Sequence, residues 1–456
     1  MSHGTAVKHT RVKMLAGAAL FCVSAIMATS AMSTTLYGGG ASLPAGAYFG
    51  WSFLPNSRLI LPVNVSTTSL LGAWAASTGN AIQYCQTGSG GGKRVLNGDT
   101  SSTLEHPSLI TDGDCNVGFV DNNIPGIPPV SPTGFQIPVT AVGQPDFIAS
   151  DAPYTSTDYQ TFVNFKGPTR GEPVQFPAIG GAIAVVYKNS DINVPHHMNL
   201  TTTQVCGIFS GNITLWNQLN PSFMPKPIKV VYRSDDSGTS FSLANHLSAV
   251  CSSMFSGGHF QTYEKFASSL TSNTQTVIAQ LPLNTSLSKI PAVGDPGVIL
   301  TVAYPSNDGA IGYAEVADAL DHTGSGVNPV DYATVDGKDP VVDIPPTFAV
   351  MTLFDVAIVR VDAATGRPVL GAVTPNSTAK CLGIVDPNSY AVPPSPMYSI
   401  LTISYLVASQ KGNATDIVAL RSLMVYPNGH AITEPGFMQL TGTNITTLKG
   451  AACISV

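Results

Sequence analysis

The sequence predicts an α/β protein. Apolar stretches of the strand type alternate with stretches of helical spacing along most of the chain, which is typical of folds in which strands and helices take turns. Hydrophobic residues make up 44% of the sequence and charged residues only 11%, so the chain can build a sizeable core although its charges are few. Its 456 residues are enough for two or three packed units.

The clearest strand and helix candidates follow from their residue patterns. Strands are predicted where runs such as AIAVVYK collect β-branched residues, at 182–188, 228–233 and 348–361. Helices are predicted where apolar residues recur every three or four positions, at 45–53, 240–255 and 416–426. Two stretches are rich in Gly, Pro, Asp and Asn and are predicted to be insertions or long loops, 90–145 and 320–346.

The N-terminus has the pattern of an export signal. Lys8, Arg11 and Lys13 precede an apolar run at 14–27, and the small residues ATSAMS follow. We therefore expect residues 1–33 to be a signal peptide and the mature protein to be periplasmic or secreted. Without these residues the chain keeps 18 Lys and Arg against 27 Asp and Glu, a net charge of about −9. A chain this acidic is not expected to bind nucleic acid.

Six cysteines remain once the signal peptide is set aside. An even number in an exported protein indicates disulfides, and six cysteines allow 15 connectivities. We favour pairs that are sequential along the chain because each would close one local region, namely Cys85–Cys115, Cys206–Cys251 and Cys381–Cys453.

A metal site is the rival explanation for the cysteines. The sequence contains no CxxC motif, and its only histidine pair is His196–His197. Side chains of adjacent residues are not expected to converge on one ion. The sequence therefore predicts neither a metal site nor a cofactor.

The segment YRSDDSGTSF (232–241) combines a cation, two carboxylates and several hydroxyl groups. It lies between a strand candidate and a helix candidate, so Ser237, Gly238 and Thr239 fall at a predicted helix N-terminus. Unpaired N–H groups and the helix dipole favour an anion at that position. Arg233 adds a fork of N–H donors suited to an oxyanion, and Asp235 could hold the arginine in place. The alternative is a purely structural role, in which Ser237 only caps the helix.

Three further segments have related chemistry. In GGGASLP (38–44), Ser42 is placed as the N-cap of a helix with Pro44 just inside it. In GSGGG (88–92), Ser89 lies in a predicted glycine-rich turn, and in DFIASDAP (146–153) a short apolar run ends at Ser150 and Asp151. Together they favour an oxyanion site built from several segments.

These segments, in this order, resemble the phosphate-binding protein of the phosphate ABC transporter. That family shows the motifs G-A-G-A-[TS]-F-P, G-S-S-G-G, D-F-G-A-S-D-A-P and R-x-D-G-S-G-T. The stretches QFPAIGGAIAVVY, FSGNITLWNQLNP and GAIGYAEVADAL also resemble family segments, so the similarity covers most of residues 37–320.

The resemblance implies a type II periplasmic binding protein. This fold has two α/β lobes joined by two crossing segments, with the ligand in the cleft between them. Lobe 1 would comprise residues 34–180 and 346–456, and lobe 2 residues 181–345. The implied function is to bind inorganic phosphate and deliver it to the membrane permease of an ABC transporter, as a monomer and without chemistry.

The resemblance also implies the ligand set. Carried over by motif, the phosphate ligands would be Ser42, Leu43, Ser89, Asp151, Arg233, Ser237, Gly238 and Thr239, with Asp235 bracing Arg233. Phosphate still carries a proton near neutral pH and sulfate does not, so Asp151 would accept that proton and disfavour sulfate. Asp121, in VGFVDN, is the alternative carboxylate.

The chain departs from the family pattern at several places. Leu43 replaces a phenylalanine, Gly90 replaces the second serine of G-S-S-G-G, and Asp236 replaces a glycine. The gap between Ser89 and Asp151 is also longer than in typical members.

Two other functions are compatible with these residues. A secreted phosphatase-like hydrolase could use Ser237 as nucleophile, although no histidine motif accompanies it. A scaffold or adhesion protein could have kept the fold and lost the ligand.

Overall fold

The computed structural model describes residues 33–50, 59–61, 67–98, 145–251, 259–266, 288–320, 329–375, 380–412, 415–443 and 453–454. Nearly all of the predicted signal peptide, the central part of the long insertion and Cys115 lie outside these ranges. Within them, no helix is both long and apolar enough to cross a membrane.

The described elements alternate in the way that the sequence predicts. The strands are β1 Thr35–Gly40, β2 Leu59–Leu61, β3 Ala81–Gln86, β4 Phe147–Ser150, β5 Pro173–Tyr187, β6 Asn199–Leu200, β7 Lys229–Arg233, β8 Ser288–Ala292, β9 Ala310–Glu315, β10 Asp331–Val335, β11 Thr347–Ala349, β12 Thr352–Phe354, β13 Val356–Val361, β14 Pro368–Ala372, β15 Gly383–Val385, β16 Leu401–Ser409 and β17 Phe437–Thr441. The helices are α1 Ala45–Phe49, α2 Leu70–Thr78, α3 Ser89–Asn97, α4 Ser156–Phe165, α5 Gly167–Arg170, α6 Thr202–Ser210, α7 Gly238–Val250, α8 Gly294–Ala303, α9 Val316–Leu320, α10 Pro387–Tyr390 and α11 Ile417–Val425.

A mixed sheet organises the fold, with the strand order β2-β3-β1-β4-β16-β5-β9-β7-β8. β1 runs parallel to β3 and β4, and β7 runs parallel to β8 and β9. The long strand β5 is buried along its whole length. It pairs with β16 up to Ala182 and with β9 from Ile183 onward, so its partners change near its middle.

This topology brings the candidate segments to strand ends. In parallel α/β sheets, ligands bind beyond the carboxyl ends of the strands. Ser42 follows β1, Ser89 follows β3 and Asp151 follows β4; Ser237 follows β7. The sheet thus supplies two groups of parallel strand ends, and the candidate residues lie at both.

Several predicted elements have different bounds in the structure. The strand predicted at 348–361 is split into β11, β12 and β13, and Asp355 between the last two has a φ of 57°. The helix predicted at 45–53 ends at Phe49, because Gly50 adopts the left-handed conformation with a φ of 74°. The helices predicted at 240–255 and 416–426 correspond to α7 and α11.

The loop predictions are partly wrong. Residues 90–97 belong to α3 and 331–335 form β10, so neither stretch is loop throughout. Glycine content misled the first prediction, because the glycines of GSGGG lie in the opening turn of a helix instead of a free turn.

Two of the favoured disulfides are present. Cys206 in α6 bonds to Cys251 at the end of α7, and Cys381 bonds to Cys453. The third prediction, Cys85–Cys115, requires Cys115, which lies outside the described residues.

Candidate functional site

Ser42 lies in the turn between β1 and α1, where only 1% of it is exposed. Its hydroxyl donates a hydrogen bond to Asp295 Oδ2 at 2.6 Å. The prediction that Ser42 caps α1 is wrong, because Pro44 occupies the cap position and no side chain caps the helix. The neighbouring Leu43 is fully buried in the core, so only its backbone can contribute to a polar site.

Ser89 and Asp151 are joined by a direct hydrogen bond. The Asp151 N–H donates to Ser89 Oγ at 3.0 Å. Ser89 opens α3, and Gly88 before it has a positive φ of 73°, which favours glycine. The ends of β3 and β4 therefore bring both residues to one place.

Arg233 is buried and held by two carboxylates. Its Nε donates to Asp235 Oδ1 at 2.7 Å, and its Nη2 donates to Asp235 Oδ2. Its Nη1 donates to Asp295 Oδ2 at 2.7 Å and to Thr239 Oγ1 at 3.2 Å. Burial acts to lower the pKa of Arg233, but the charges of Asp235 and then Asp295 outweigh it and raise that pKa. The predicted brace by Asp235 is present.

The start of α7 touches the Ser89–Asp151 pair. Ser237 caps the helix by accepting a hydrogen bond from the Ser240 N–H at 3.2 Å. A Cβ on Gly238 would lie 2.5 Å from both Ser89 Oγ and Asp151 Cβ. Only glycine fits there, so the helix N-terminus packs directly against residues from the ends of β3 and β4. The structure thus brings Ser89, Asp151, Gly238 and Ser237 together.

Asp151 is a buried carboxylate with a raised pKa. It is 1% exposed, and its Oδ1 has no hydrogen-bond partner among the described residues. Burial raises the pKa of Asp151 to about 8; the Ser404 side chain and Arg233 oppose the rise, and the Asp295 carboxylate adds to it. An unpartnered buried oxygen of this kind can accept or share a proton. The rival carboxylate, Asp121, lies outside the described residues.

Two departures from the family pattern, Gly90 and Asp236, are in direct contact with each other. A Cβ on Gly90 would lie 2.3 Å from Asp236 Cβ, so a serine at position 90 is incompatible with a side chain at 236. The Gly90 N–H also donates to the Asp236 carbonyl at 3.0 Å. Glycine at one position thus compensates for aspartate at the other.

The charge of Asp236 is balanced locally. Its carboxylate pairs with Arg94 of α3 and lies 3.7 Å from Lys265. Burial alone would raise the pKa of Asp236, but Arg94 and then Lys265 lower it overall. A second pairing lies nearby: Lys93 Nζ is 2.7 Å from Glu264 and 3.0 Å from Asp158.

Asp295 is the site residue that the sequence interpretation missed. It lies in α8 just after β8, and its Oδ2 accepts hydrogen bonds from Ser42, Arg233 and Thr239. The available signal was GDPG (294–297), a glycine-flanked acid between a strand and an apolar stretch. YRSDDSGTSF has the same strand–turn–helix arrangement.

A group with metal-binding side chains lies elsewhere. Among the described residues, His196, His197 and Asp331 place one ligand atom each within 4.8 Å of one another. The expectation that the adjacent histidines do not converge is therefore wrong.

Comparison with known proteins places the chain in a family. Residues 63–365 match the PBP superfamily domain. The chain is 28% identical to alkaline phosphatase L of Pseudomonas aeruginosa over 238 residues, which cover 52% of this chain and 48% of that protein. It is 28% identical to a phosphate-binding protein from an unidentified prokaryote over 282 residues, covering 60% of this chain and 69% of that protein. The match to alkaline phosphatase L thus spans about half of that relative.

The solved structures give the fold. A high-affinity periplasmic phosphate-binding protein bound with phosphate superposes with a TM-score of 0.57 at 22% identity, covering 91% of this chain and 93% of that one. The fold is that of the type II periplasmic binding proteins, and the resemblance inferred from the motifs is confirmed. The chain belongs to the PBP superfamily.

Proposed function

We propose that this protein is an exported receptor that binds inorganic phosphate and delivers it to the membrane permease of an ABC transporter. It acts as a monomer in the periplasm or outside the cell, and it does no chemistry. Lobe 1 comprises residues 34–180 and 346–456, and lobe 2 residues 181–345. The change of partners along β5 near Ala182 supports this division.

One observation carries the proposal: residues from two sets of strand ends meet, with Gly238 packed against Ser89 and Asp151 and with Ser42 and Arg233 both donating to Asp295. We assign the phosphate ligands as the hydroxyl groups, backbone N–H groups, guanidinium and carboxylate of Ser42, Leu43, Ser89, Asp151, Arg233, Ser237, Gly238 and Thr239. The direct packing of Gly238 against Ser89 and Asp151 supports a cleft that closes through contacts from both lobes.

Local geometry, not net charge, would hold the anion. The positive charge of Arg233 is already paired with Asp235 and Asp295. Charge-assisted hydrogen bonds from oriented donors and the N-terminus of α7 then provide the attraction. This is consistent with the acidic composition of the chain.

Asp151 supplies the selectivity in this proposal. When ionised, it accepts the proton that phosphate carries, whereas sulfate has no proton to offer it. A buried carboxylate facing an oxyanion without a shared proton is strongly unfavourable.

The name of one relative, alkaline phosphatase L, makes hydrolysis the second candidate. Ser237 would be its nucleophile. In the described part of the chain, the Ser237 hydroxyl caps α7 and has no histidine or carboxylate among its hydrogen-bond partners. A serine without an adjacent base is a weak nucleophile, so we propose binding without turnover.

The test is to titrate the ligand-stripped mature protein with phosphate and with sulfate in a calorimeter, and to incubate it with a chromogenic phosphate ester. Tight phosphate binding without ester turnover supports the receptor. Turnover that disappears in Ser237→Ala would instead establish the hydrolase. Binding of neither phosphate nor sulfate would indicate a scaffold.

A further inference from the structure

We propose that His196, His197 and Asp331 form a surface binding site for a divalent transition-metal ion, with Zn²⁺ as the expected ion. The proposal does not depend on the phosphate function. It rests on the convergence of three ligand groups from two separate segments of the chain.

The backbone of His197 makes the convergence possible. Its φ is 50°, in the left-handed region that non-glycine residues seldom adopt. Side chains of neighbouring residues normally point apart, but this conformation turns the two rings toward each other. Their centroids are 4.2 Å apart in an edge-to-face arrangement. The His197 ring also packs on Tyr332, with the centroids 4.1 Å apart.

Asp331 is fixed between the two histidines. Its Oδ2 lies 2.6 Å from His196 Nδ1, and its Oδ1 lies 3.6 Å from His197 Nε2. The Tyr187 hydroxyl and the His197 N–H donate to Oδ2 at 2.9 and 3.1 Å. Hydrogen bonds of this kind orient metal-ligating carboxylates in known sites.

The cluster is open to ions from solvent. The side chains of His196, His197 and Asp331 are 64%, 35% and 20% exposed. Within the described ranges, the ion-pair partners of Asp331 are histidines, and no lysine or arginine pairs with it. A second carboxylate, Asp339, has its Oδ2 3.8 Å from His197 Nδ1. The local charge therefore favours a cation.

The ligand types select the class of metal. Two imidazoles with a carboxylate suit Zn²⁺ and its neighbours, whereas Mg²⁺ and Ca²⁺ prefer oxygen ligands alone. Bonds of about 2.0–2.2 Å to each ligand require the Nδ1 and Oδ2 atoms of His196 and Asp331 to move apart from hydrogen-bonding distance. The ion thus replaces the proton that the two groups share.

The cluster lies away from the candidate anion site. Asp331 pairs with Tyr187, Tyr187 with Ile311, and Ile311 with Val230, so these residues are at one level of the sheet. Arg233 is three residues further along β7, or about 10 Å at the usual rise per residue. Metal binding can therefore be measured separately from phosphate binding.

The experiment is equilibrium dialysis of the tag-free, phosphate-free mature protein against Zn²⁺. We expect one ion per chain, with affinity reduced roughly tenfold or more in His196→Ala and in His197→Ala. His430→Ala is the matched control, because His430 is also exposed but its ring stacks on Tyr426 and its Nδ1 lies 2.8 Å from the Tyr426 carbonyl oxygen. Binding that is absent, or equal in all variants, would overturn the proposal.

A further variant and a Co²⁺ spectrum distinguish loss of the metal ligand from an indirect effect on folding. His196→Asn keeps a donor toward Asp331 but removes the imidazole, so it should fold normally and still lose the ion. Co²⁺ added to the wild-type protein should give visible absorption bands that His197→Ala lacks. Identical Co²⁺ spectra for the wild type and this variant would contradict the assignment.

Discussion

Gly90 and Asp236 pack so closely that a Cβ atom on Gly90 would fall 2.3 Å from the Cβ of Asp236. The resemblance motifs have serine and glycine at these two positions, so this chain has exchanged which segment carries the side chain. Gly90 belongs to α3 and Asp236 precedes α7. The contact joins the segment of Ser89 to the segment of Arg233, and it therefore bears on how the candidate cleft closes.

We expect Gly90→Ser to destabilise the closed arrangement by about 1–3 kcal/mol, the usual cost of overpacking a tight contact. The helical backbone itself accepts serine, so the cost arises from Asp236. In the Asp236→Gly background the same change should cost much less. Chemical denaturation of the four proteins of this cycle, together with their phosphate affinities, provides the measurement.

Gly429→Ser is the matched control, because a Cβ there meets no atom within 4 Å. Equal costs of Gly90→Ser with and without the Asp236 side chain would show that the two positions are not coupled.

Asp151→Asn should weaken the preference for phosphate over sulfate. The amide keeps one neutral acceptor oxygen and gains N–H donors, so phosphate loses its charged proton acceptor and sulfate loses a repulsive neighbour. We expect the selectivity ratio to fall by roughly tenfold or more, as for the loss of a hydrogen bond to a charged group. Competition titrations check this, and an unchanged ratio would remove Asp151 from the assigned ligand set.

Anion selectivity should also depend on pH. The pKa of Asp151 is raised to about 8 by burial, so below that pH the free site holds a neutral acid that can donate to sulfate. Above it the carboxylate is ionised and repels sulfate. The phosphate-to-sulfate affinity ratio should therefore rise as the pH increases through 8, and Asp151→Asn should flatten the profile. A ratio that falls over this range would contradict the role of Asp151.

Asp295→Asn should reduce both stability and phosphate affinity. The carboxylate of Asp295 accepts hydrogen bonds from Ser42, Arg233, Thr239 and the Glu315 N–H. Each oxygen faces one group that can only donate, Arg233 at Oδ2 and the Glu315 N–H at Oδ1, so an amide N–H at either position meets another donor. We expect the free energy of unfolding to fall by about 1.5–3 kcal/mol, measured by chemical denaturation. Wild-type stability with wild-type affinity would show that Asp295 neither supports the fold nor positions Ser42 and Arg233.

The sequence predicts the framework of the site well, because each polar motif directly follows a strand of the sheet. β-branched runs marked β5 and β7, and the polar segments that follow β1, β3, β4 and β7 do converge. Arg233 and its brace Asp235 could be paired from their spacing alone, since Asp235 lies only two residues beyond Arg233, the last residue of β7.

Contacts between distant segments could not be predicted in this way. Asp295 reaches Ser42 across 253 residues of sequence, and no local pattern pairs them. The coupling of Gly90 to Asp236 is likewise visible only once α3 and α7 pack together.

Backbone conformation accounts for two further differences. His197 and Asp355 adopt positive φ angles without being glycine. The first turns two histidines onto one carboxylate, and the second separates β12 from β13. Residue type alone did not indicate either feature.

The most direct measurement is calorimetric titration of the ligand-stripped mature protein with phosphate and sulfate, for the wild type and for Thr239→Val. It is best done above the pKa of Asp151. We expect one phosphate per chain, no detectable sulfate binding, and a marked loss of phosphate affinity in the variant, since Thr239 lies beside Arg233 at the start of α7. Phosphate binding that is unaffected by the variant, or sulfate binding as tight as phosphate, would contradict the assignment of this cleft.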